Sequence, residues 1–225
     1  MKQPLVIIFL GPPGSGKGTQ AELLEKKFNL ERIGSGDLLR SRKKKKDYTG
    51  KKIGQVIDQG KRVPTPVIFA LWINKMESLK KNQLKAGSSG FDGFIIDGSP
   101  RTIPEAELIG LALEWYGWDK NVKVFFINIS NKEVVFRLTK RRICGLCGRI
   151  IPYIKKFRKL KKCDRCQGDL IVRADDNIKG IKERLRWFKA EVMPVIDYYK
   201  KRKKLIKING EQSIENVFKD ILKSI

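Results

Sequence analysis

The sequence predicts an α/β fold: a doubly wound parallel sheet of five strands flanked by helices, with one small module inserted late in the chain. Three observations carry this. Short apolar runs alternate with segments of helical spacing, a glycine-rich turn joins the first run to the first helix, and two close cysteine pairs interrupt the alternation within residues 143–176. A chain of 225 residues can bury one sizeable core beside such a module. No run of about 18 apolar residues occurs, so no membrane partner is expected. Met1-Lys2-Gln3-Pro4 leads straight into the first strand without a signal-peptide pattern, and a cytoplasmic location is expected.

The first strand is Leu5-Val6-Ile7-Ile8-Phe9-Leu10, whose unbroken apolar character suits a strand covered on both faces. Gly11-Pro12-Pro13-Gly14-Ser15-Gly16-Lys17-Gly18-Thr19 follows, then helical Ala21 to Phe28. Strand, glycine-rich turn and helix in this order form a P-loop. Backbone N–H groups point inward, the helix N-terminus adds its positive dipole end, and Lys17 reaches the outer phosphates. Gly14, Ser15, Gly16, Lys17, Gly18 and Thr19 are therefore expected to cradle a nucleotide polyphosphate. Gly18 stands where Ser or Thr would commonly ligate magnesium, and the hydroxyl comes one residue later, at Thr19.

Leu30 to Ile33 reads as a second strand, and Gly34-Ser35-Gly36-Asp37-Leu38-Leu39-Arg40 as the start of a helix capped by Ser35, with Arg40 near the cleft mouth. Gly50 to Gly60 reads as a short amphipathic helix. Val63-Pro64-Thr65-Pro66 should turn into the next helix, with Thr65 at the N-cap, and Lys80 to Gly90 should form a loop. Phe91 to Asp97 is a buried strand ending on an acid placed to orient magnesium-bound water. Arg101, beyond a proline-fixed turn at the same strand end, should bind phosphate. Val122 to Ile129 is a further central strand. Lys132 to Arg142 has helical spacing that puts Arg137 and Arg141 on one face. A long helix over Ile178 to Lys200 carries Arg184, then come a last strand, Lys203 to Ile208, and a closing helix, Ser213 to Ile225. Trp72, Trp115 and Trp187 are read as packing residues.

Cys144-Gly145-Leu146-Cys147 and Cys163-Asp164-Arg165-Cys166 have the spacing of a tetrahedral Zn²⁺ site. With all four cysteines as ligands no open position remains for chemistry, so Cys144, Cys147, Cys163 and Cys166 define a structural zinc ribbon. A module this small buries little core, and the metal substitutes for one.

The net charge of +25 concentrates at Arg42 to Lys46, Lys155 to Lys162 and Lys200 to Lys204. A nucleotide site needs only a few cations. The rest are read as solvated faces in preference to an RNA-binding surface, so no specific nucleic-acid partner is expected. No aromatic residue interleaves the first run, whereas Tyr153 and Phe157 flank the second.

Five blocks in order, Gly11 to Gln20, Gly36 to Arg40, Gly93 to Thr102, Arg141 to Cys144 and Arg173-Ala174-Asp175-Asp176, resemble the adenylate kinase family of the long, zinc-lid bacterial type over essentially the whole chain. The resemblance implies a monomer that transfers the γ-phosphoryl of ATP reversibly to AMP with magnesium, giving two ADP. It implies a core at 1–142 and 177–225, an AMP-binding segment at 35–64 and a zinc lid at 143–176. By the same resemblance Lys17, Asp97, Arg101, Arg137, Arg173 and Arg184 are catalytic, with Arg141, Ile150, Ile151 and Gln212 on the ATP side. Ser35, Arg40, Lys61, Arg62, Val63, Gly98, Ser99, Pro100, Arg101 and Glu105 line the AMP side, joined by Arg173 and Arg184, and Asp175 and Asp176 orient Arg137, Arg173 and Arg184 and help anchor the closed lid. The chain departs from the family pattern at Ser99, where an aromatic residue is usual, at Thr65 in place of Asp, and at Glu105 in place of a base-reading Gln. Because an ionised Glu only accepts hydrogen bonds, acceptance of GMP is an alternative expectation. A second is an RNA-binding ribbon with a nucleotide switch.

Overall fold

The computed structural model describes residues 3–59, 61–86, 91–173 and 175–225. The expected helix end at Gly60, the last four residues of the expected Lys80 to Gly90 loop, and Ala174 lie outside the described residues.

Strand β1 (Leu5–Leu10) is the centre of a five-stranded sheet completed by β2 (Glu31–Gly34), β3 (Gly93–Asp97), β4 (Val122–Asn128) and β8 (Leu205–Asn209). The order is β2-β3-β1-β4-β8 and every pairing is parallel, as expected from the alternation of strands and helices. Alternate residues of β1 serve two cores. Val6, Ile8 and Leu10 pack with Trp72, Met76, Phe94 and Trp118 on one side. Leu5, Ile7 and Phe9 pack on the other with Ala21 and Leu24 of α1 (Lys17–Phe28) and with Val217 and Ile221 of α9 (Ile214–Leu222). Both faces being covered, β1 has no position at which a polar side chain could reach water.

The chain leaves β1 for β2 past β3, returns to β3, then crosses β1 to reach β4. This reversal opens a crevice at the carboxyl ends of β1 and β3, where open α/β sheets bind ligands. The P-loop closes β1 there and Asp97 closes β3.

Several helices differ from their sequence-based bounds. Helix α2 (Ser35–Lys43) is preceded by Gly34 in the cap position, so Ser35 is its first residue and makes no side-chain cap. Its hydroxyl is instead buried, 2.6 Å from Ser99 Oγ and accepting from Trp72 Nε1. Helix α3 (Tyr48–Asp58) begins earlier than Gly50 because the Asp47 carboxylate accepts from the Gly50 N–H. Helix α4 (Thr65–Ala86) starts on Thr65 itself and runs through the expected loop from Lys80. Lys80 and Gln83 hold that end down, through the Tyr116 carbonyl and the Trp118 indole N–H. Helix α5 (Ile103–Trp115), to which the sequence reading assigns no element, is announced by Thr102-Ile103-Pro104-Glu105, a capping threonine followed by proline in the first turn. Trp115 is a correction, being 84% exposed at its end.

Helix α6 (Asn131–Lys140) stops one residue short of Arg141, whose backbone is extended. Arg137 and Arg141 therefore do not share a helix face. The expected single helix from Ile178 is α7 (Ile178–Trp187), a π-helical turn (Phe188–Val192) and α8 (Met193–Lys201) in succession. Pro194 has no N–H to give the regular ladder at that junction. Between α6 and α7 lie β5 (Arg142–Cys144), β6 (Ile150–Ile151) and β7 (Leu170–Ile171), a separate antiparallel sheet in the order β6-β5-β7.

Candidate active site

The P-loop has the shape its glycines predict. Gly16 caps α1 with φ of 97°, a conformation open to glycine and costly for other residues. The Lys17 ammonium turns back into the loop and donates to the carbonyls of Gly11 (2.8 Å) and Pro12 (2.9 Å) and to Ser15 Oγ (3.3 Å). Burial in the loop lowers its pKa from 10.5 to about 8; Asp97 opposes that shift, while Arg101, Arg184 and Arg141 add to it. Lys17 thus lies in the field of three arginines opposed at that point by Asp97, while Arg141 and Arg184 have carboxylates of their own, and a polyphosphate would neutralise the remainder.

Asp97 stands beside the loop. A β-carbon on Gly18 would lie 3.7 Å from its Oδ2, 3.3 Å from Arg32 Nη2 and 4.0 Å from Ile150 Cδ1. The three contacts bring the end of β3, the second strand and the inserted module to the same loop residue. Arg32 was missed by the sequence reading: it donates to Asp97 Oδ2 and also approaches Glu25. Its signal was faint, one of two adjacent opposite charges, Glu31 and Arg32, in a four-residue strand. The carboxylate beside the phosphate cradle is a hard oxygen donor of the kind magnesium takes, and Thr19, in the first turn of α1, adds a hydroxyl to the same loop, so the residues present fit that ion.

Across the crevice, Gly98 to Arg101 turn into α5. Arg101 Nε donates to the Gly98 carbonyl at 2.7 Å. Glu105 is buried, and its Oε2 accepts from the Arg101 backbone N–H at 2.7 Å. The Thr102 side chain caps the Glu105 N–H in turn, so Glu105 ties the head of α5 to the turn before it. Pro100 and Ser99 are buried beside it. Arg62 pairs with Glu191 and lies 5.2 Å from the ring centre of Trp187, which gives that tryptophan a contact with the 61–63 segment. Arg40 is not brought in: it is 65% exposed and paired with Asp37.

The remaining arginines meet two acids. Arg141 makes a bidentate pair with Asp176 (2.8 and 2.7 Å), and Arg184 donates to the same carboxylate at 2.9 Å. Arg173 makes a second bidentate pair with Asp175, whose other contact is Arg184 at 3.3 Å. Arg137 is held elsewhere, by Glu133 and by the carbonyls of Gly210 and Gly14, against the outer wall of the P-loop. Gln212 donates to the Asn209 carbonyl and to Asp220.

The sulfurs of Cys144, Cys147, Cys163 and Cys166 lie within 4.8 Å of one another, with Cys144 to Cys166 at 3.4 Å and Cys147 to Cys163 at 3.8 Å. Four sulfurs around zinc at bond lengths near 2.3 Å sit about 3.8 Å apart, so the set fits a tetrahedral ion and is too open for disulfides. A backbone N–H from Cys147 pulls the Cys144 thiol down to about 6 and one from Arg165 lowers Cys163, whereas Cys166, although the Gly168 N–H favours its thiolate, is pushed up to about 12 by its hydrogen bonds with the Cys144 and Cys147 sulfurs. Gly168 also escaped the sequence reading. A β-carbon there would stand 2.8 Å from Cys144 Sγ and 2.7 Å from Leu146 Cβ, so glycine is required beside the cluster.

The adenylate kinase family model matches residues 9–204. The chain is similar to an adenylate kinase of Chlamydia trachomatis, with 37% identity over 100% of this chain and 91% of that protein. It is equally similar, at 37%, to adenylate kinases of Caldicellulosiruptor bescii, over 97% of this chain and 98% of the other, and of Archaeoglobus fulgidus, over 96% and 95%.

Proposed function

The chain belongs to the adenylate kinase family, and from that premise we propose that it transfers the γ-phosphoryl group of ATP to AMP, reversibly, giving two ADP. The observation that carries the proposal is the P-loop itself, with Lys17 folded into it, Asp97 beside Gly18 and Arg101 turned back onto Gly98 at the end of the neighbouring strand. Phosphoryl transfer asks for positioning and charge stabilisation more than for covalent chemistry from the protein. An oxygen of the acceptor phosphate bonds to the γ-phosphorus while the bond to the β–γ bridging oxygen breaks, and the electron pair leaves with the first ADP. Lys17 and the loop N–H groups hold the donor phosphates. Arg101 and Arg184 hold the acceptor phosphate, with Arg173 and Arg137 closing on the transferred group, because a planar guanidinium grips phosphate oxygens bidentately. Asp97 would hold magnesium through water, and the ion, when bound with ATP, would supply positive charge that offsets that of the phosphates.

In this reading residues 1–142 and 177–225 form the core, 35–64 the acceptor segment and 143–176 a lid stapled by structural Zn²⁺. Asp175 and Asp176 keep Arg141, Arg173 and Arg184 preassembled where lid and core join, and closure expels water that would otherwise take the phosphoryl group. The protein acts as a monomer in the cytoplasm.

Between AMP and GMP, the Glu105 geometry favours AMP. Guanine presents two adjacent donors that want both oxygens of a carboxylate, and one of these already accepts from Arg101. The adenine amino group needs only the other. Steady-state ADP formation with AMP, GMP, CMP and UMP tests this: AMP should be the fastest acceptor, and a GMP rate equal to or above it would overturn the assignment.

A further inference from the structure

Phosphoryl transfer leaves most of the positive charge unused, and one face of the inserted module orders part of it against aromatic rings. From Arg149 to Lys162 the sequence has seven lysines and arginines and no acid. Charge runs of this kind are usually no more than a solvated surface. Here Arg149 and Arg158, together with Lys140 from α6, lie against rings. Tyr153, 37% exposed, has the Arg158 guanidinium 4.8 Å and the Lys140 ammonium 5.3 Å from its ring centre. The same ammonium lies 5.9 Å from the ring centre of Phe136, which is 44% exposed. Arg149 is 5.7 Å from the ring centre of Phe157, on the 3-10 turn (Lys155–Lys159) that also carries Arg158.

The patch is continuous across two parts of the molecule, since Lys140 ends α6 while Tyr153 and Arg158 belong to the module. Asp164 and Asp169 pair with Arg149 and Lys162. Among the described residues, this leaves Lys140 and Arg158 with aromatic neighbours in place of acidic ones.

Alternating cations and rings match a ligand that alternates anionic groups with flat, polarisable ones. We infer that this face binds single-stranded polynucleotide without sequence preference, phosphates against Lys140, Arg158 and the neighbouring lysines, and bases against Tyr153 and Phe136. An acidic polypeptide would use the cations and leave the rings idle. A duplex would present phosphates but keep its bases stacked inside.

The test uses the full-length, zinc-loaded protein and fluorescence anisotropy of labelled oligouridylate and oligothymidylate of about ten nucleotides, within the span of one small binding surface. Both strands should bind, more weakly as salt rises. Lys140→Glu/Arg158→Glu should weaken binding about tenfold or more, while Lys200→Glu/Lys201→Glu, the same charge change at the end of α8, should do so at most about twofold. Tyr153→Ala keeps every charge; it should cost about fivefold or more on the single strands and nothing on inorganic polyphosphate, which has no bases to stack. All variants should retain ADP formation, which certifies their fold. Equal losses in the two double variants, unchanged single-strand binding by Tyr153→Ala, or a hairpin duplex or polyglutamate bound as tightly as the strands would overturn the inference.

Discussion

Lys17 shows how a single residue sets the pH behaviour of the donor site. Its folded pKa of about 8 lies below the ordinary 10.5 because the ammonium is buried in the loop. In the free protein at pH 8 it is about half protonated, and donor phosphates, being anionic, raise its pKa and restore the full charge. ATP binding at pH 8 should therefore take up about half a proton, measured by calorimetry in two buffers of different ionisation enthalpy. As pH rises above 8 the affinity should fall. Proton release, or an affinity indifferent to pH between 7 and 9, would contradict the geometry of Lys17. Glu105 carries a second prediction at this scale. A glutamine there has one oxygen, whose two lone pairs must serve both the Arg101 N–H and the adenine amino group, and gains an NH₂ that can donate to adenine N1. Glu105→Gln should lower the KM for AMP about threefold to tenfold, the worth of one ordinary hydrogen bond. A raised KM would mean that the side chain serves only the head of α5.

At the scale of elements, the short segment at 173–176 does more than its length suggests. Asp176, 3% exposed, anchors Arg141 from the end of α6 and Arg184 from α7. Removing one partner from a buried pair leaves uncompensated charge, at a cost of about 3 kcal/mol. Asp176→Ala should lower the melting temperature by roughly 10 °C in a chain of this size. It should also lower kcat, because two arginines lose their common support. The zinc module gives the complementary case. Cys163→Ser, or removal of zinc by a chelator, should lower the melting temperature more than it lowers turnover in the cold; equal stability with and without metal would remove the ion's structural role. Elements of this kind were legible in the sequence to different depths. The P-loop, the parallel strands and the two cysteine pairs could be read because each depends on local spacing. The end of α6 before Arg141 and the helical course of Lys80 to Ala86 could not, since both are decided by partners distant in sequence, Asp176 for the first and Tyr116 and Trp118 for the second. Arg32 was hidden for the same reason, its partner Asp97 lying 65 residues away.

The whole molecule is a sheet whose strand order places the ends of β1 and β3 side by side, with a flap carrying the four-cysteine cluster entering from between α6 and α7. Ile150 of that flap reaches the neighbourhood of Gly18, and Arg165 pairs with Glu22 on α1, so flap and core meet beside the P-loop and its helix. A fold so arranged should couple both nucleotides in one step. The most direct test follows ³¹P resonance in a mixture of equimolar ATP and AMP with magnesium and catalytic amounts of protein. The γ-phosphate and AMP signals should decline together while the two ADP signals grow in equal amount, and Lys17→Met should abolish most of the change. Loss of the γ-phosphate signal to inorganic phosphate, or no exchange that depends on AMP, would contradict the account.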